Sequence, residues 1–234
     1  SDVYKRQISG LIGGLGLASA FIFFIFGMTF TSAATTLFMI GTQPLFAGLF
    51  AYIFLREKVG ITTAIACFVS LFGMFLMAYN DWYAGTFLGW TFGLFCSIGF
   101  AIFATTLRWQ PDTPKFTTNI IAGIACSLFS MCMIIYLNDG YTMPLRNILL
   151  SMMHGSFVAI GLILLSIGAR YLPAAEFMLL SLTEVVGGVI WCWIPLFGVN
   201  EVPSTFTLIG GMIIIIAISF YALGSNQKTS PPTL

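Results

Sequence analysis

Charge is what this sequence has least of. Only 7% of its 234 residues are charged, against 59% that are hydrophobic. A soluble domain carries roughly 25% charged and 45–50% apolar residues. Nine Lys/Arg and eight Asp/Glu cannot solvate a globule of this size, which excludes a soluble enzyme and a disordered chain. The net charge of +1 offers no basic field for a polyanion, so nucleic acid is not a partner. Histidine is scarcer still, His154 being the only one. There is no His-Glu-x-x-His, no Gly-x-Ser-x-Gly, no CxxC pair and no His/Cys cluster. An intramembrane enzyme therefore shows no nucleophile or metal site. Cys67, Cys96, Cys126, Cys132 and Cys192 all sit in apolar runs, where cysteine acts as a small hydrophobe. Gly14-Leu15-Gly16 lacks the strand and third glycine of a dinucleotide site. The expectation is no enzymatic activity, no cofactor and no metal.

What is present is long apolar runs. A spanning helix needs about 20 mainly apolar residues, at a rise of about 1.5 Å each. Eight such runs occur, near 8–30, 33–55, 60–79, 86–107, 117–137, 148–170, 173–197 and 205–223. They are uniformly apolar rather than alternating, so helices are expected and a barrel is not. Residues 1–7 (SDVYKRQ) lead straight into the first run without the Met start or cleavage site of a signal peptide. This heptapeptide reads as an artefactual leader. With alternate loops assigned to opposite sides, one side receives Arg56, Lys58, Arg108, Lys115, Arg170 and Lys228, and the other only Arg146, with Asp81, Asp139 and Glu201. The Arg56 side and the tail 224–234 are expected in the cytoplasm of an inner (cell) membrane.

The chain also repeats itself. A shift of 141 residues aligns 13–53 with 154–194 without a gap. Gly14/Gly155, Ala18/Ala159, Ile22/Ile163, Gly27/Gly168, Ala33/Ala174, Ala34/Ala175, Thr42/Thr183 and Ile53/Ile194 are identical. By the loop assignment the two copies cross in opposite directions, as in transporters whose site lies at the repeat interface near the midplane.

Thr31-Ser32-Ala33-Ala34, Gln43-Pro44-Leu45-Phe46 and Arg56-Glu57-Lys58 resemble the first half of the EamA-like branch of the drug/metabolite transporter superfamily. Ala169 to Glu176, Leu182-Thr183-Glu184, Asn200 to Pro203 and Gly210-Gly211 resemble its second half. The resemblance implies an inverted-repeat bundle of ten helices, of which eight are here. Residues 8–79 would be the last three helices of the first repeat and 86–223 the five of the second. It thus also implies that two helices precede this sequence. The family has Glu-Pro where this chain reads Glu184-Val185, so no proline-driven helix break is expected there.

Two acidic residues fall inside spans. Glu184 stands 11 residues beyond Pro173, about 16 Å along a helix axis. A charge at mid-depth costs roughly 2.5–3.5 kcal/mol on insertion scales and is rarely idle, so Glu184 is the prime candidate for coupling or substrate binding. Gln43 aligns with it across the repeat, beside Pro44, and Thr42 aligns with Thr183. Glu176 lies in the first turn after Pro173, either an interfacial end-of-helix acid or a gate. His154 is placed at headgroup level or as a titrating gate. Trp191 and Trp193 lie deep enough to face a cavity. Arg170-Tyr171 reads as an edge anchor, and Trp82, Tyr83, Trp90 and Tyr141 as interfacial aromatics. Gly85, Gly89, Gly93, Ser97 and Ala101 form a smooth ridge for close packing.

The expected function is a secondary transporter that moves small metabolites, amino acids or drugs by alternating access. Its partners would be a small-molecule substrate, the bilayer, a coupled proton and a second copy in a homodimer. The competing reading is a non-transporting integral membrane assembly or lipid-binding protein. A cavity around Glu184 favours the first, and a packed interior the second.

Overall fold

The structure is a computed structural model. It describes residues 2–31, 33–79, 87–109, 116–137, 143–169, 171–193 and 204–226. Among these every regular element is helical. In chain order they are α1 (Asp2–Phe30), α2 (Ala33–Ile40), α3 (Gln43–Phe50), α4 (Ile61–Ala78), α5 (Phe87–Trp109), α6 (Thr117–Leu137), α7 (Leu145–Gly168), α8 (Ala174–Ser181), α9 (Thr183–Trp193) and α10 (Thr205–Asn226). Helix α1 runs back without interruption through the leading heptapeptide to Asp2.

Seven helical stretches among the described residues are long and apolar enough to cross a membrane. They match seven of the eight expected runs to within a few residues. The run 33–55 is less regular than expected: α2 and α3 are separated by Gly41-Thr42, and α3 continues into a π-helical turn over Ala51–Leu55. That turn stops at Arg56, whose φ of 57° is left-handed, and the chain reverses into α4. The eighth run, 173–197, is the pair α8 and α9, and its last residues lie outside the described ones.

Lipid tails are as apolar as leucine, so helices here gain little by burying apolar area against one another. Close packing and polar bonds must hold the bundle. Helix α5 is central, packed against α1, α2 and α3. A Cβ on Gly99 of α5 would stand 2.6 Å from the Gly16 carbonyl oxygen of α1, so only glycine permits that approach. The ridge on α5 meets the α1–α2 turn and α2: added Cβ atoms on Gly89 and Gly93 would stand 2.6 Å from Thr31 Cβ and 2.7 Å from Met39 Cβ. Gly85 lies outside the described residues. Large apolar side chains such as Leu128, Met131, Leu149 and Phe157 on α6 and α7 are exposed, as suits a lipid-facing surface.

The shift of 141 residues carries over to the elements. It maps Ala33–Ile40 onto Ala174–Ser181, the bounds of α2 and α8. It also maps α4 onto the region of α10, and these two helices pack antiparallel. Tyr79 at the end of α4 meets Phe206 at the start of α10, ring centroids 5.2 Å apart. Gly73 and Gly210 face one another midway, with a Cβ on Gly73 2.7 Å from the Gly210 carbonyl oxygen. Thr63 at the start of α4 and Tyr221 near the end of α10 both reach Glu176. Repeat-related helices running in opposite directions are the relation that inverted topology requires.

Candidate functional site

Both halves break a helix at the same repeat position, and both breaks are built from a hydroxyl. Thr42 Oγ1 donates to the Met39 carbonyl at 2.6 Å, and Thr183 Oγ1 to the Leu180 carbonyl at 2.8 Å. Donor and acceptor are repeat equivalents in each case. A threonine bonding back to its own helix competes with the backbone ladder and bends it. The second break needs no proline: with Val185 where the family has proline, Leu182 still forms a turn between α8 and α9. Its N–H bonds to Leu179, three residues back, and the Val185 N–H to Leu182. Pro44 does not kink a continuous helix either, because it sits in the first turn of α3, where its missing N–H is not needed.

Gln43 and Glu184 each begin a half-helix just past these breaks. Gln43 is buried, and its Nε2 donates to Ser181 Oγ at 2.8 Å. Ser181 in turn donates to the Met178 carbonyl at 2.8 Å. This bond joins the start of α3 to the end of α8 across the two halves. Glu184 is exposed, and its exposure is into a cavity of about 640 Å³ that it lines together with Gln43, Ser181 and His154. Phe21 and Phe24 of α1 and Phe100 of α5 form much of the apolar wall, and α7 closes one side with Val158 and Leu162.

Helix α7 starts at Leu145 rather than 148, which places His154 about 13 Å along its axis and on the same cavity as Glu184. Thr42 stands behind the cavity wall, 2.8 Å from Ser97 Oγ on the α5 ridge. Thr183 is exposed and bonded only within its own helix region. The side chain of Trp191 lies outside the described residues, as do those of Trp193 and Arg170, and Trp82, Tyr83 and Tyr141 altogether.

Glu176 is elsewhere. Its carboxylate accepts from Thr63 Oγ1 of α4 at 3.2 Å and from the Tyr221 hydroxyl of α10, tying α8 to the antiparallel pair. It does not line the Glu184 cavity. Nearby at the same end of the bundle, Arg108 Nε bonds Glu57 Oε1 at 2.8 Å, so the loops after α3 and α5 share one side as their charges required. Among the described residues no group of three or more His, Cys, Asp or Glu could hold a metal ion.

Ser181, Thr63, Tyr221 and the three phenylalanines were not singled out in the sequence, and Ser97 was read only as part of the packing ridge. Ser181 aligns with Ile40 under the repeat shift, so the internal homology gave no signal for it.

Residues 5–79 match the EamA-like transporter family. That match begins inside the leading heptapeptide and ends with α4. The chain is also similar to the uncharacterized transporter YdfC of Bacillus subtilis (strain 168), 26% identical over 237 residues that cover 93% of this chain and 71% of the relative. A solved crystal structure shares the fold at a TM-score of 0.72 and 16% identity, covering 95% of this chain and 77% of that one. The chain is a multi-pass membrane protein, helical throughout its regular elements among the described residues.

Proposed function

We infer that this protein is a secondary transporter, and that its substrate binds in the cavity holding Glu184 and crosses by alternating access. The domain match and the similarity to a protein named as a transporter support a membrane transporter in general. The mechanism rests on geometry. A cavity at the interface of two opposed repeats, bordered by two broken helices, is where transporters of this build hold substrate. The observation that carries the reading is Glu184 itself. An intramembrane carboxylate facing an open cavity, rather than a partner side chain, is placed for work.

On this reading the halves rock about the α4–α10 contact. At the Arg56 end α3 and α8 are in contact: a Cβ on Gly48 would stand 3.4 Å from Ala175 Cβ. The repeat-related segments, Leu37 and Ile40 of α2 and Glu184 and Val185 of α9, border the cavity instead. Such asymmetry between repeat-related contacts is what exchanges when access alternates. The positive-inside bias puts the Arg56 end and the C-terminal tail in the cytoplasm of an inner membrane. Glu184 then binds substrate when ionised and gives way to a proton when not, which couples flux to pH. The substrates are small metabolites, amino acids or drugs.

The test is flux in membrane vesicles across a pH series, with a panel of labelled amino acids and amines. Glu184→Gln keeps shape and hydrogen bonding but cannot ionise. Wild type is expected to show pH-dependent flux, and Glu184→Gln, expressed at the same level, to lose that dependence. Unchanged pH dependence in Glu184→Gln would assign the carboxylate a structural role.

A further inference from the structure

The charge inventory of the cavity narrows what can bind. Among the described residues that line it, Glu184 is the one acidic side chain and none is Lys or Arg. The hydroxyl of Ser181 is already committed: it donates to Met178 and accepts from Gln43. Among the described lining residues a ligand carboxylate or phosphate would therefore find no Lys, Arg or free serine donor; His154 lines the cavity with Glu184, and the Cys96 thiol of α5 lies near Glu184 behind the wall. Most of the remaining lining is apolar, with Phe21 and Phe100 set edge to face, ring centroids 5.9 Å apart. A volume of about 640 Å³ lies inside the range of roughly 300–1,000 Å³ that takes small organic ligands.

We propose that this cavity selects an amphipathic organic monocation: an amine on a flat, apolar body, its ammonium against the Glu184 carboxylate and its body among the phenylalanine rings. The proposal rests on the transport reading and deepens it. Away from bulk water an ion pair is far stronger than in solution, and a phenylalanine face adds attraction for a neighbouring cation. A neutral analogue leaves the carboxylate unpaired. A zwitterion or an anion brings a carboxylate that meets no Lys or Arg among the described lining residues.

The test is binding to the purified full chain in lipid nanodiscs at pH 8, with four ligands that share one indole body. They are tryptamine (cation), N-acetyltryptamine (neutral), tryptophan (zwitterion) and indole-3-propionate (anion). Tryptamine is expected to bind about tenfold or more tightly than the other three, and Glu184→Gln to remove that preference by weakening tryptamine alone. Retained size-exclusion behaviour and unfolding temperature serve as the folding control. Equal or tighter binding of tryptophan or indole-3-propionate would overturn the proposal, as would tryptamine affinity unchanged in Glu184→Gln. If none of the four binds, the proposal fails. The transport reading fails with it only if a membrane-impermeant maleimide also cannot reach a cysteine placed at position 184.

Discussion

Gln43 and Ser181 meet across the two halves through one bond, and its energetics are asymmetric. Ser181→Ala leaves the buried Gln43 amide without its acceptor, which costs about 1–3 kcal/mol. Ser181→Thr keeps a hydroxyl at that position. Thermal unfolding in detergent should show the loss in the alanine variant and a smaller one in the threonine variant. Glu176 is held differently, by Thr63 and Tyr221 from two other helices. Tyr221→Phe should lower stability by a comparable amount while ligand affinity in the Glu184 cavity stays unchanged. A drop in that affinity would give Glu176 a part in the site. Glu184, Gln43 and His154 were legible in the sequence because polar groups are rare in these spans. Ser181 and Thr63 were not, and Ser97 only as part of a packing ridge. Serine and threonine satisfy themselves on their own helix carbonyls, and only packing decides which of them also reaches a neighbour.

The helices were legible as elements because their lengths are set by the bilayer and their limits by short polar breaks. The interruptions inside them were not. Pro44 does not make the first break and Val185 does not prevent the second: each turns on a threonine–carbonyl bond and a turn residue, Gly41-Thr42 in one half and Leu182 in the other. Helix contacts follow glycines whose neighbours are backbone atoms. Gly99 and Gly123 separate packing from propensity. A Cβ on Gly99 meets the Gly16 carbonyl, whereas one on Gly123 of α6 meets nothing within 4 Å. Gly99→Leu should force α1 from α5, at a cost of about 1–3 kcal/mol or more. Gly123→Leu should leave the unfolding temperature within the scatter of surface substitutions. Equal effects of the two would show that glycine approach does not hold this bundle.

For the whole molecule, opposed loop charges and a shift of 141 residues pointed to two inverted repeats, and the antiparallel run of α4 against α10 has the direction they require. The cavity between the halves could not be read from sequence, because it depends on how α7 and the broken helices stand off from α1. The account's central claim is that this cavity is reached from each side of the membrane in turn. Accessibility at Glu184 tests it without knowledge of the substrate. The five native cysteines are replaced, a single cysteine is placed at position 184, and a membrane-impermeant maleimide is added to right-side-out and to inside-out vesicles. The account predicts labelling from both sides, with a cavity-filling ligand slowing both reactions. Labelling from one side only, or from neither, would contradict it.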